Sequence, residues 1–382
     1  MGSGHDSPRG YRTPRSDQQE WRLYSFAVTR LERVVIHVGM PKTGSTTIQR
    51  TLGASRSVLA QHGFLYPEAA TSGDAHHLLA WSATLKRLPR EGVLPLAQAL
   101  EGITDELRGG SGTAILSSET FFHVPPDEMA SILEWARSLA RLVTVCVYVR
   151  PPAAYREGWY RQQIKMSGYD RSFPEHVREA PLMNMRARLD ALADIAGRGS
   201  LMVRPYLRAA FPKGDVVADF CMAIGVDLGL LAPVDADNLN PSLDAELTEF
   251  KLRLNRSGVE QVLPELTVAL TSWAADRPPY PRSLYSPPTW DDYVKRTAEN
   301  HHSVLIKYGL PEELKDIRPE VFTTQDLSQH RFNELMSEFA QRYPELVSRF
   351  SSGSDSLLGE MLRRPTVTGC AAKENSHQFD HG

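Results

Sequence analysis

The run Val34-Val35-Ile36-His37-Val38 is apolar, β-branched and of strand length. It breaks at Gly39 and Pro41, and the chain restarts as a helical pattern with Ile48, Leu52 and Leu59 on one face and Gly63 as its stop. No other stretch constrains the fold so tightly. Strand, glycine-bearing loop and helix present backbone N–H groups and a helix N-terminus to an anion. Gly44 leaves no side chain between loop and anion, and Lys42 supplies a point charge. The Ser45, Thr46 and Thr47 hydroxyls add further donors.

The loop is close to a Walker A sequence and departs from it at one place. Gly39 and Gly44 have the G-x-x-x-x-G spacing, but Ser45 stands where the phosphate-clamping lysine of an ATPase belongs, and the basic residue has moved forward to Lys42. An ATP-dependent kinase is the alternative this leaves, and it lacks both that lysine and a recognisable Walker B aspartate.

A chain of 382 residues can bury a sizeable core, and 41% hydrophobic with 23% charged residues places it among globular proteins. A net charge of −3 gives no global attraction to nucleic acid or anionic membrane, so any anion site is local. Cys146, Cys221 and Cys370 have neither metal-ligand nor redox spacing; the first two sit in apolar stretches and read as packed thiols, which fits a reducing compartment. No stretch reaches the length of a transmembrane helix and the first thirty residues hold no uninterrupted apolar signal region, so the expectation is a cytoplasmic protein.

Residues 1 to about 19 are rich in Gly, Ser, Pro, Arg and Asp, and residues 1–30 read as a disordered tail. After the first helix, a mixed stretch carries the pair His76-His77. Thr113 to Ser117 is a short apolar strand opening into Ser118-Glu119, followed by a helix from Asp127 to about Arg141. Val143 to Val149 is almost wholly apolar, as a parallel strand buried on both faces should be. Arg150 ends it, and a helix from Ala153 to about Ser167 carries Tyr155, Arg156, Trp159, Tyr160, Arg161 and Lys165. Leu201 to Tyr206 reads as a further strand, with Val216, Phe220 and Ile224 on the helix after it. Alternating strands and helices imply an α/β fold of three layers around a central parallel sheet, with ligands at the carboxyl ends of the strands. Beyond Asp237 the chain becomes helical, with a turn at 238–242, helices from Leu243 to about Asn255, Tyr293 to Tyr308 and Gln329 to Phe350, and a polar tail over 351–382.

The string Pro41-Lys42-Thr43-Gly44-Ser45-Thr46-Thr47 resembles the 5′-phosphosulfate loop of bacterial sulfotransferases, which use 3′-phosphoadenosine 5′-phosphosulfate (PAPS). Arg150, Pro152 and Tyr160 resemble that family's 3′-phosphate motif in order, with Gly158 where the motif has a serine. The missing hydroxyl removes one hydrogen bond, on the order of 1–3 kcal/mol to a charged acceptor. Arg156, Arg161 or a water are the candidates to replace it. The resemblance runs from about Val34 to Tyr308. It implies one sulfotransferase domain over 31–350, with a core to about 236 and a helical extension from about 237.

By the same resemblance, Lys42, Thr43, Gly44, Ser45, Thr46 and Thr47 cradle the 5′-phosphosulfate, while Arg150, with the Gly158 and Tyr160 positions, holds the 3′-phosphate. Glu119, at a strand's carboxyl end beside the loop, is the expected base, and His77 (with His76) is its rival, since an imidazole suits proton transfer near neutral pH. Lys42 meets the charge that grows on the leaving phosphate. His37 lies inside a strand and reads as a core histidine. No cluster suggests a metal. The expected acceptor is a small molecule or saccharide, with a carbohydrate or glycolipid hydroxyl in the lead and no nucleic-acid partner. A family member that binds nucleotide without catalysis is the second alternative.

Overall fold

The computed structural model describes residues 30–85, 87–88, 90–233, 242–257, 263–278, 282–319 and 327–351. The tails over 1–29 and 352–382, and most of the expected turn at 238–242, lie outside them. In chain order the elements are β1 (Leu31–Gly39), α1 (Ser45–Ala54), α2 (Arg56–Gln61), β2 (Phe64–Leu65), α3 (His77–Thr84), α4 (Leu96–Glu106), β3 (Thr113–Ser118), α5 (Pro126–Leu139) and β4 (Ala140–Val149). Then follow α6 (Pro152–Met166), α7 (Phe173–Glu179), α8 (Met185–Ala196), β5 (Leu201–Pro205) and α9 (Val216–Ile224). The last are α10 (Ala245–Arg256), α11 (Leu263–Ala275), α12 (Pro287–Tyr308), α13 (Gln329–Arg342) and α14 (Pro344–Ser351).

Two compact units draw on interleaved segments: one on residues up to 151, 183–236 and 299–315, the other on 152–182, 237–298 and the residues from 316 on. The first holds a five-stranded, all-parallel sheet in the order β2-β3-β1-β4-β5. β1 lies at its centre because its residues are apolar on both faces, and Leu31, Val34, Val35, Ile36 and Val38 are fully buried. On one face, Val35, Ile115 and Tyr148 pack with Ile48 and Leu52 of α1 and Phe220 and Ile224 of α9. On the other, α5 meets β1 and β4, and α8 meets β4 and β5. The chain leaves β1 toward β3 and β2 on one side and toward β4 and β5 on the other. The carboxyl end of β1, where the order reverses, is the usual ligand position in such sheets.

The single helix expected after the loop is two. It breaks at Ser55, whose Oγ accepts the Ala232 N–H at 2.9 Å, while Ile48, Leu52 and Leu59 all remain buried. The helix expected over Gln329 to Phe350 also divides, ahead of Pro344, which cannot continue a helix at its interior. α7, α8 and α11 are additional to the helices expected from the sequence.

The second unit has two apolar clusters. One gathers Ala153, Tyr160 and Ile164 of α6 with Phe173, Tyr285, Trp290 and Tyr293; the other joins Phe250, Leu270 and Trp273 to Phe332 and Phe339 of α13. Asp316 accepts the Ala153 N–H at 2.9 Å and so caps α6; burial raises its carboxyl to about 6. No helix among the described residues is long and apolar enough to cross a membrane.

Candidate active site

Three strand ends bring the site together in the first unit. The register pairs Val38 with Ser118 of β3 and Gly39 with Tyr148 of β4, so the loop after β1, Glu119 after β3 and Arg150 after β4 emerge side by side. Two residues of the loop adopt left-handed backbone, Lys42 at φ 67° and Gly44 at φ 76°. For lysine that conformation costs about 1–2 kcal/mol, and it turns successive N–H groups toward one side. A Cβ on Gly44 would stand 2.8 Å from Val216 Cγ1. One on Gly39 would collide with Ser45 Oγ and lie 3.3 Å from the Glu119 Cα. Both glycines are thus required by close approach.

The loop's hydroxyls divide into two kinds. Thr43 is fully buried and donates to the Met40 carbonyl at 2.6 Å, which closes the loop on itself. Ser45 is 5% exposed and its Oγ has no hydrogen-bond partner. A buried hydroxyl without a partner carries a desolvation cost of about 1–3 kcal/mol, and a phosphate or sulfate oxygen in the loop would relieve it. Thr46 and Thr47 are half-buried.

Lys42 is largely enclosed. Burial first, then the neighbouring Arg150, push its ammonium down to about 8, while Glu119 acts the other way. Arg150 Nη1 donates to the Lys42 carbonyl at 2.7 Å, and its guanidinium lies 5.8 Å over the Tyr206 ring. Tyr206 follows β5, whose Arg204 grips Asp219 of α9 through two bonds of 2.7 and 2.6 Å; the Tyr148 hydroxyl donates to the same carboxylate at 2.6 Å. This buried network fixes β4, β5 and α9 beneath Arg150 and Tyr206. A loop with two cations side by side fits a multiply charged anion.

Glu119 opens a short 3-10 turn, and the N-cap of that turn is Ser118, whose Oγ accepts the Thr120 N–H at 3.1 Å. The carboxylate is therefore not used as a cap. Its Oε2 accepts from Gln49 Nε2 at 2.9 Å, and Oε1 lies 3.6 Å from His77 Nε2. His77 Nδ1 meets the Ser118 and Thr120 hydroxyls at 2.8 and 3.2 Å, and the ring stacks on Trp81. With two hydroxyl protons available to Nδ1, the network is satisfied when Nε2 carries the ring proton toward Glu119. Arg188 of α8 supports the turn by donating to the Phe121 and Val124 carbonyls.

The histidines separate cleanly. His76 is fully buried beside Tyr66, its Nδ1 accepts the Ser117 N–H, and burial pushes it down to about 3. His37, also fully buried, shares a 2.8 Å bond with Ser117 Oγ and is likewise pushed down to about 3. Both are neutral core groups; His77 alone of the three faces Glu119. Cys146 and Cys221 are buried free thiols raised to about 12.

Gly158 and Tyr160 lie on α6, in the second unit. The Tyr160 ring is fully buried, and its hydroxyl donates to the Arg171 carbonyl at 3.0 Å. Arg156 donates to the Pro181 carbonyl, and Arg161 to the Leu243 and Arg282 carbonyls and Glu157. These side chains hold the second unit together. Among the described residues no His, Cys, Asp and Glu cluster could hold a metal.

Gln49 and Arg188 join the site although no motif in the sequence marks them, and Tyr206 reads from the sequence only as the end of a strand. Gln49 had one legible signal: it stands one helical turn after Ser45, hence on the same face.

No protein-family model matches the chain. It is 28% identical over 142 residues to an uncharacterized protein of Archaeoglobus fulgidus, a match covering 37% of this chain and only 38% of that relative. Two solved structures are similar at a low level. A sulfotransferase from Alicyclobacillus acidocaldarius has 16% identity and a TM-score of 0.36, over 65% of this chain and 100% of its own. The sulfotransferase domain from the curacin biosynthetic pathway has 14% identity and a TM-score of 0.32, over 71% and 99%.

Proposed function

We propose that this chain is a sulfotransferase that moves a sulfuryl group from PAPS to a hydroxyl or amine of a small-molecule acceptor, with a carbohydrate or glycolipid hydroxyl as the leading class. One observation carries the reading: a glycine-cradled loop with a buried, unpartnered Ser45 hydroxyl sits between two cations and a carboxylate. In-line sulfuryl transfer needs those three parts together.

In this reading the 5′-phosphosulfate rests on the N–H groups from Thr43 to Thr47, with Ser45 Oγ as an added donor and Lys42 beside the bridging oxygen. Arg150 meets the 3′-phosphate, for which a guanidinium is well shaped. As the acceptor oxygen attacks sulfur, its proton passes to Glu119 and the sulfur–oxygen bond to the 5′-phosphate breaks. The products are sulfated acceptor and adenosine 3′,5′-bisphosphate. His77, with its proton toward Glu119, orients the carboxylate and stabilises its charge; the two candidate bases then work as a pair. The roles of the Gly158 and Tyr160 positions toward the 3′-phosphate are not required by it.

Calorimetric titration with adenosine 3′,5′-bisphosphate, ATP and adenosine 5′-phosphosulfate tests the reading. Selective binding of the bisphosphate, lost in Arg150→Ala, is the expected result. Preference for ATP returns the chain to the kinase reading. Bisphosphate binding with no sulfated product on any acceptor, and Glu119→Gln indistinguishable from wild type, leaves a nucleotide-binding protein without transfer activity.

A further inference from the structure

Gln49 has no part in the chemistry above, yet it is 4% exposed and its amide is aimed at the carboxylate that takes the acceptor proton. The placement follows from the fold. α1 starts at the end of the central strand, Gln49 stands one turn along it, and Glu119 follows the neighbouring strand β3. The bond between them therefore joins the helix that carries the phosphate loop to the candidate base, across 70 residues of sequence.

The groups facing Glu119 come from four places. His77 of α3 lies at Oε1, Lys42 of the loop and Tyr66 beyond β2 act on it through space, and Gln49 of α1 donates to Oε2. Of these, Gln49 is the neutral amide donor. Such a donor cannot take up the proton itself, and it fixes the side-chain rotamer by occupying one oxygen. With Oε2 taken by Gln49, Oε1 is the oxygen turned toward His77 Nε2, 3.6 Å away.

We infer that Gln49 is a positioning residue that, through its 2.9 Å bond to Oε2, fixes the Glu119 carboxylate at the site with Oε1 turned to His77. The inference rests on the sulfuryl-transfer reading. It adds that the loop and the base are set by one rigid helix, so that binding geometry at Ser45 and base geometry at Glu119 are fixed together.

The test compares Gln49→Glu and Gln49→Met with wild type, using the full chain. The primary readout is the pH titration of the Glu119 carboxyl carbon by NMR without acceptor, identified by its loss in Glu119→Gln. Gln49→Glu places two carboxylates within hydrogen-bonding distance, so the midpoint is expected to rise by on the order of one pH unit or more. The acid limb of the kcat/KM profile should rise with it. Gln49→Met, which keeps the shape and removes the donor, should raise the midpoint less and lower kcat about tenfold, with KM for PAPS little changed. If Gln49→Glu does not fold, Gln49→Met carries the test. A folded variant whose Glu119 titration and acid limb match wild type overturns the inference, even where bisphosphate binding stands. A wild-type protein that binds no bisphosphate overturns the transfer reading instead, and the carboxyl titration still decides whether Gln49 sets the state of Glu119.

Discussion

The loop over 39–47 and the helix α6 over 152–166 look alike in sequence: both are basic, both follow an apolar strand, and both resemble nucleotide-binding motifs. Their side chains are used in opposite ways. On α6, Arg156, Arg161 and the Tyr160 hydroxyl donate to main-chain carbonyls of their own unit. In the loop, a buried hydroxyl has no protein partner, a lysine is held in left-handed backbone, and a second cation sits beside it. Basic charge marks an anion site only where the fold leaves its donors for a ligand. Lys251 of α10 makes the same point from the other side. Burial pushes it down to about 8, as for Lys42, but it is bonded to Asn255 and the Ser167 carbonyl. A shifted lysine alone identifies nothing.

The contrast between loop and helix can be broken most directly at Lys42. Lys42→Ala should lower kcat at least about a thousandfold while the thermal midpoint stays within a few degrees, since the side chain meets charge that grows only in transfer. A folded, fully active variant would sink the role of the loop. Next in size, Arg150→Ala should weaken adenosine 3′,5′-bisphosphate by about a hundredfold and adenosine 5′-phosphosulfate much less, read by calorimetry. Equal losses for both ligands would mean that Arg150 acts only by holding the Lys42 carbonyl.

On the helix the prediction is of another kind. Arg161→Ala removes the donor to the Leu243 and Arg282 carbonyls, while Glu157 keeps its bonds from Ser283 and Leu284, and should cost about 2 kcal/mol of stability in denaturant melts, with bisphosphate affinity per folded molecule unchanged. A loss of affinity without a loss of stability would mean that α6 contacts the ligand.

The Lys42 shift gives a pH dependence whose sign is fixed. The ammonium of the unliganded protein is lost as pH rises through about 8, so bisphosphate affinity should fall above that pH, by at most about tenfold per unit. Binding at pH 8.5 should take up protons, measurable by calorimetry in buffers of different ionisation heat. Flat affinity to pH 9.5 would remove Lys42 from the contact. Smallest of all, Tyr160→Phe should cost about 1 kcal/mol or less of stability and leave ligand binding as it is.

Much of the first unit was legible because its signals are local. The β-branched run of β1, the apolar run of β4, the glycines of the loop and the packed state of His37, Cys146 and Cys221 each depend on neighbours in sequence or on burial that composition foretells. The break at Ser55 was not legible, because it answers to an N–H at Ala232, far along the chain. The choice between His76 and His77 was open for the same reason. One helix start turns His76 into the core against Tyr66 and turns His77 toward Glu119, and adjacent residues carry no mark of which way each will face.

By itself, then, the sequence determined a parallel α/β sheet with a glycine-bearing, lysine-carrying loop at the end of its central strand, through periodicity, glycine and the placing of Lys42. Tertiary structure decided which polar groups are left for a ligand. It joined Gln49, His77 and Glu119, set Arg150 between the Lys42 carbonyl and Tyr206, and committed the donors of α6 to carbonyls. The physical reason is that a side chain's hydrogen-bonding capacity is local, whereas whether it is already satisfied depends on groups that only the folded chain brings within 3 Å.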